Sequence, residues 1–90
     1  MNIDSLRDML KTNLATITFT KIDGTKREMH CTLIPEYLPP MKELNPNIKY
    51  GPSPVIITVW DLEQNDWRSF KFDSILSIET DYFNYVVERA

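Results

Sequence analysis

Hydrophobic positions fall at helical spacing in the first ten residues and at alternate positions over much of the remainder. In "IDSLRDMLK", Leu6, Met9 and Leu10 stand at i, i+3 and i+4, which sets them on one side of a helix. Asp4 or Ser5 can cap this helix, and Ser5 and Asp8 have capping-box spacing, with Asp where Glu is preferred. So short a helix is not stable alone. It has to dock on other structure, and the residues beyond it offer a sheet.

The clearest alternation is in "ATITFTKIDGTKREMHCTL". Ile17 and Phe19 alternate with Thr16, Thr18 and Thr20; Met29, Cys31 and Leu33 alternate with Glu28, His30 and Thr32. Period two with β-branched residues predicts two strands, each with one apolar face. Asp23–Gly24 between them supplies the positive φ angles of a tight hairpin turn.

All six prolines fall between residues 34 and 54. Proline removes backbone donors and resists both helix and central strand, so this stretch predicts a long loop, with one helical turn near Met41–Leu44. Its Tyr37, Leu38, Met41, Leu44, Ile48 and Tyr50 are too apolar for a solvated linker. Loops of this length either wrap a core or carry function. "VIITVWDL" and "WRSFKF" then read as strands joined by the turn "EQND", "DSI" as a corner, and "LSIE" as a last short strand. "TDYFNYVVERA" fits either a strand or a terminal helical turn.

The sum is one mainly β domain over residues 1–90, with a helix in 1–13 and a Pro-rich loop over 34–54. Five short strands must close on themselves or sandwich to hide their edges. A five-stranded SH3-like or Sm-like barrel with a short N-terminal helix is the economical arrangement, and a two-layer α+β fold is the alternative.

Composition narrows the chemistry. A net charge of −3 gives no global electrostatic grip on DNA, although Lys21, Lys26, Arg27, Arg68 and Lys71 could gather into a local basic patch. The single cysteine, Cys31, has no disulfide partner and no metal-ligand spacing, which suits a reducing cytoplasm. His30 and Cys31 are neighbours on a strand and point to opposite faces, so they cannot work as a pair. No apolar run approaches the roughly 20 residues needed to span a bilayer, and the acidic, amphipathic start is not a signal peptide. Two glycines exclude a Gly-rich phosphate loop. No catalytic residue, cofactor or metal is expected.

One stretch carries a resemblance. "VWDLEQNDWRSFKFDSI", from Val59 to Ile75, resembles the core of WYL-type domains, whose pattern is Trp-Tyr-Leu at a strand end, a variable turn, then Arg-x-Phe-x-x-Asp-Arg-Ile. Trp60 and Leu62 match, with Asp61 at the tyrosine; Arg68 and Phe70 match; Asp73 and Ile75 match, with Ser74 at the second arginine. The upstream "ITFTKIDGTKREMHCTLIPEYL" looks like the family's opening hairpin. The likeness extends from about Thr16 to Ile78, and points to a group of short, stand-alone WYL-like proteins of unknown function found mainly in tailed bacteriophages. It implies an Sm-like, SH3-like barrel. Larger WYL proteins use the domain to bind small ligands or nucleic acid, but Asp61 and Ser74 replace two polar positions of that pocket, and this chain carries no helix-turn-helix.

The binding surface expected from these readings comprises Trp60, Trp67, Arg68, Phe70 and Lys71. Each has a plainer reading: an ion pair of Arg68 with Asp61, Glu63 or Asp66, and a cross-strand aromatic pair for the tryptophans, one in the core and one partly exposed. The functional expectation is a non-catalytic phage accessory protein in the host cytoplasm, contacting a host or phage protein. Single-stranded nucleic acid is the second expected partner and a small ligand the third. No membrane is involved, and a homo-oligomer is compatible with the fold class.

Overall fold

The computed structural model describes residues 2–39, 54–82 and 84–86. The turn expected near Met41–Leu44, and most of the Pro-rich loop, lie outside the described residues. Its start forms a single 3₁₀ turn over Pro35–Tyr37.

Helix α1 spans Ile3–Leu10 and is capped by Asn2, whose Oδ1 accepts the Ser5 N–H at 2.8 Å. The cap therefore lies upstream of Asp4 and Ser5. Asn2 is extended and ranks with Asp and Ser as a capping residue. Starting there places Asp4 inside the first turn, where its charge favours the helix N-terminus. Leu6 and Leu10 are fully buried and Met9 packs beside them, as the spacing requires.

Strands β1 (Ala15–Thr20) and β2 (Lys26–Thr32) pair antiparallel with Ile17 opposite Met29. Ala15, Ile17, Phe19, Met29 and Cys31 are all buried. The turn between the strands differs from the expected one. Gly24 alone takes a positive φ, of 89°. Its N–H donates to the Lys21 carbonyl, and the Lys21 N–H donates to the Thr25 carbonyl. Asp23 acts instead through its carboxylate, which accepts both the N–H and the hydroxyl of Thr25, at 3.0 and 2.6 Å. The loop is thus longer by a residue than a two-residue turn, with glycine at the left-handed position.

Strands β3 (Ile56–Asp61), β4 (Asp66–Lys71), β5 (Ile75–Glu79) and β6 (Asn84–Val86) complete one sheet in the order β4-β3-β2-β1-β5-β6, every pair antiparallel. The sixth strand, one more than expected, resolves the ambiguous C-terminal stretch. β6 pairs Tyr85 with Ile78 but leaves Val86 well exposed, so its side chains gave little core-facing alternation to read.

The sheet rolls up. β2 and β3 share only the pairs Cys31–Asp61 and Thr32–Trp60, so β3 leaves β2 after a short contact. A register shift between Thr18 and Phe19 bends β1 against β5. A 3₁₀ turn over Phe72–Ser74 carries the chain from β4 to β5. The rolled interior holds Ile17, Phe19, Met29, Cys31, Ile57, Val59, Phe70, Ile75 and Ile78, with Leu6 and Leu10 of α1 completing it.

The helix is tied down by polar bonds as well. Thr32 is fully buried, and its hydroxyl lies 2.9 Å from the Asn13 carbonyl and 3.2 Å from the Leu10 carbonyl while accepting the Ile34 N–H. The Leu33 N–H also donates to the Leu10 carbonyl. The Leu10 carbonyl at the C-terminus of α1 is thereby satisfied by the end of β2.

Candidate binding surface

The β3–β4 hairpin presents two different faces. Its register sets Ile57 opposite Phe70, Val59 opposite Arg68 and Asp61 opposite Asp66 on one side, and Ile56 opposite Lys71, Thr58 opposite Ser69 and Trp60 opposite Trp67 on the other. On the first side Ile57, Val59, Asp61 and Phe70 are buried, while Arg68 and Asp66 stay exposed. On the second, the tryptophan rings meet edge to face, with centroids 5.3 Å apart and planes at 78°. Next to them the Thr58 and Ser69 hydroxyls share a hydrogen bond of 2.8 Å.

The five expected surface residues therefore divide. Trp60, Trp67 and Lys71 share the outward side; Arg68 and Phe70 do not. Phe70 is 8% exposed and stacked on Phe19, so it belongs to the core. Both tryptophans are half-buried, where one was expected in the core. Residues directly opposite each other on paired strands must share a face, so the two cannot be separated in that way.

Arg68 meets the partners expected of it. Its Nε lies 3.9 Å from Asp61 Oδ2 and its Nη1 4.0 Å from Asp66 Oδ2. Arg27 approaches the same Asp61 oxygen at 3.5 Å. Asp61 itself is 1% exposed. Its other oxygen accepts the N–H groups of Glu63 and Gln64 at 2.9 and 3.1 Å, and its carbonyl accepts the Asn65 N–H. Asn65, at φ 52°, closes the turn. Aspartate in place of the pattern's tyrosine thus does more than remove reach from a pocket. It caps the hairpin turn and holds two guanidiniums, as a buried carboxylate must if its charge is to be tolerated. The two carboxylates and two guanidiniums balance. Arg27 and Arg68 on this side and Lys71 on the other do not gather into one basic patch.

Ser74, at the pattern's second arginine, donates its hydroxyl to the Lys71 carbonyl at 2.6 Å. It also lines an open groove of about 890 Å³ between the tip of the β1–β2 hairpin and the outward end of β3–β4. Phe19 and Phe70 lie at this groove with Ile22, Ile56 and Lys71. Sequence reasoning missed it. The available signal was Ile22, a large aliphatic residue in a polar turn, which proves to be fully exposed. Lys21 and Asp23 also line the groove, and Asp23's carboxyl is held below its ordinary range by its hydrogen bonds from Thr25 and, less, by the nearby Lys21 charge.

His30 is exposed and lies between Thr16, with Nδ1 2.8 Å from the hydroxyl, and Glu63, whose carboxylate is 3.7 Å from Nε2. Cys31 is buried in the core on the opposite side of β2. Among the described residues no cluster of three or more His, Cys, Asp or Glu side chains is placed to hold a metal ion, and no helix is long and apolar enough to cross a membrane.

Comparison with known proteins agrees with this architecture. The chain is similar to an uncharacterized 11.5 kDa protein from the Gp31-cd intergenic region of Enterobacteria phage T4, at 32% identity over 80 residues, covering 82% of this chain and 78% of that protein. No solved structure matches. Residues 3–76 match the WYL_2 family, described as an Sm-like SH3 beta-barrel fold, and with most of the rolled sheet inside that match the chain belongs to the WYL_2 family.

Proposed function

We propose that this protein is a non-catalytic binding module, a phage accessory protein that works in the host cytoplasm by contacting a host or phage protein. The observation that carries the reading is the outward pair Trp60–Trp67, half-buried, crossed at 5.3 Å and lying beside the Thr58 and Ser69 hydroxyls. Tryptophan is enriched among residues that dominate protein interfaces, because it brings a large apolar area at small conformational cost. The phage relative supports the setting. The test is affinity capture from host lysate with the wild-type chain and with Trp67→Ala. A partner bound by the first and lost by the second is expected; capture unchanged by the substitution contradicts the reading.

A second reading, single-stranded nucleic acid, is favoured by Lys71 sharing the outward side with both tryptophans. It ranks lower because Arg27 and Arg68 are already held against Asp61. A gel shift at low salt tests it, and no retardation there removes it. Small-ligand sensing ranks third, since the Asp61 carboxylate fills its site with internal bonds.

A further inference from the structure

Charge is unevenly distributed over the described residues. Arg7, Lys11, Arg27 and Arg68 each lie within 4.0 Å of a carboxylate. Among the described residues Lys21, Lys26 and Lys71 form no such pair, and all three stand at one end of the barrel. Lys21 and Lys71 line the groove, and Lys26 pairs across the sheet with Thr20, which also lines it. In a chain of net charge −3 the groove lining carries two lysines, Lys21 and Lys71, against one acidic residue, Asp23.

The groove's apolar lining selects among anions. Phe19 and Phe70 are stacked on each other and each is less than one tenth exposed, so neither offers a free ring face for a nucleic-acid base. The accessible apolar surface is aliphatic, chiefly Ile22, which is fully exposed at the rim. Aliphatic surface beside ammonium groups that form no ion pair within 4.0 Å among the described residues matches a chain segment that alternates apolar and acidic side chains.

We propose that this groove binds an acidic peptide segment of a partner protein, with an aliphatic side chain seated against Ile22 and Ile56 and carboxylates facing Lys21 and Lys71. The inference rests on the protein-contact reading and narrows the chemistry of the partner. The groove adjoins the tryptophan side through Ser69 and Lys71, which share β4 with Trp67.

The test is a titration of the full chain, followed residue by residue through amide NMR shifts. The probe is a capped hexapeptide alternating leucine and glutamate. Controls are the same peptide with lysine for glutamate, hexaglutamate, and a ten-nucleotide oligothymidylate. The leucine–glutamate peptide is expected to move the amides of Thr20–Asp23 and Ser69–Lys71 saturably. Lys71→Glu should weaken it by about fivefold or more, the scale of one or two surface ion pairs. Ile22→Ser, at a position with no packing to lose, should weaken it too while leaving the fold intact. Four results overturn the proposal: no shift at these residues, equal binding of the lysine peptide, equal binding of hexaglutamate, or tighter binding of the oligothymidylate there. Any of them leaves the Trp67→Ala capture experiment standing, so the groove and the broader protein-contact reading fail separately.

Discussion

Phe19 and Phe70 stack with ring centroids 4.3 Å apart and planes 4° from parallel, although β2 and β3 lie between their strands in the sheet. Only a rolled sheet can bring them together, and their contact joins β4 to β1 across the interior. Phe70→Ala is expected to lower stability by about 3–5 kcal/mol, through lost burial and the cavity left behind. Small domains have a total of only about 5–15 kcal/mol, so the variant should be close to unfolding. Urea titration measures the loss; a change under about 1 kcal/mol would mean that the stack does not hold the roll.

Thr32 predicts a more local effect. Valine keeps its shape but leaves the Ile34 N–H without its acceptor and removes the hydroxyl from the carbonyls of Leu10 and Asn13. Thr32→Val should cost about 1–3 kcal/mol. Faster amide hydrogen exchange in α1 than in β3–β4 would mark the helix as the part released.

Asp61 separates two roles of one carboxylate. Asn keeps the Oδ1 acceptor used by Glu63 and Gln64 but removes the charge facing Arg27 and Arg68. Ala removes both. Asp61→Ala should therefore be less stable than Asp61→Asn by about 1–3 kcal/mol, the scale of two lost hydrogen bonds. Equal urea midpoints would show that capping the turn contributes nothing.

Cys31 gives a pH prediction. Burial, helped by the charge of Asp61, pushes its thiol from 9.0 up to about 12. The folded state therefore holds the proton after an unfolded chain would release it. Its contribution is intact below pH 9.0 and is lost as pH rises toward about 12. Wild type should lose more stability than Cys31→Ala between pH 8 and about 10.5 by urea titration. The native thiol should also react with a disulfide reagent at pH 8 no faster than the domain opens. Rapid labelling under native conditions contradicts the buried placement.

Much of this fold was legible in the chain. Leu6 and Leu10, and the alternation around Ile17, Phe19, Met29 and Cys31, report burial directly, because one face of each element meets the same core. The illegible parts have physical reasons. Asn2 was missed as the cap because Asp4 and Ser5 offer the same chemistry nearby, and only packing decides the helix start. β6 carries no core face to betray it. At the candidate surface, Trp60, Trp67 and Lys71 follow from strand parity, whereas Phe70 was drawn into it by nearness in sequence to Arg68. Beyond the hint of Ile22 in a polar turn, the groove was not legible, because it joins Ile22 to Lys71 through the rolling of the sheet rather than through any spacing.

The central claim is that the outward tryptophan side meets another protein. Its most direct measurement is quantitative affinity capture from host lysate with wild type, Trp67→Ala and Arg68→Ala, using an unrelated small barrel as the control. Trp67 stands on the outward side and Arg68 on the side of Asp61. A partner enriched over the control, retained by folded Arg68→Ala and lost by folded Trp67→Ala, is the predicted result. No enrichment over the control barrel, or a partner that Trp67→Ala still retains, would contradict it.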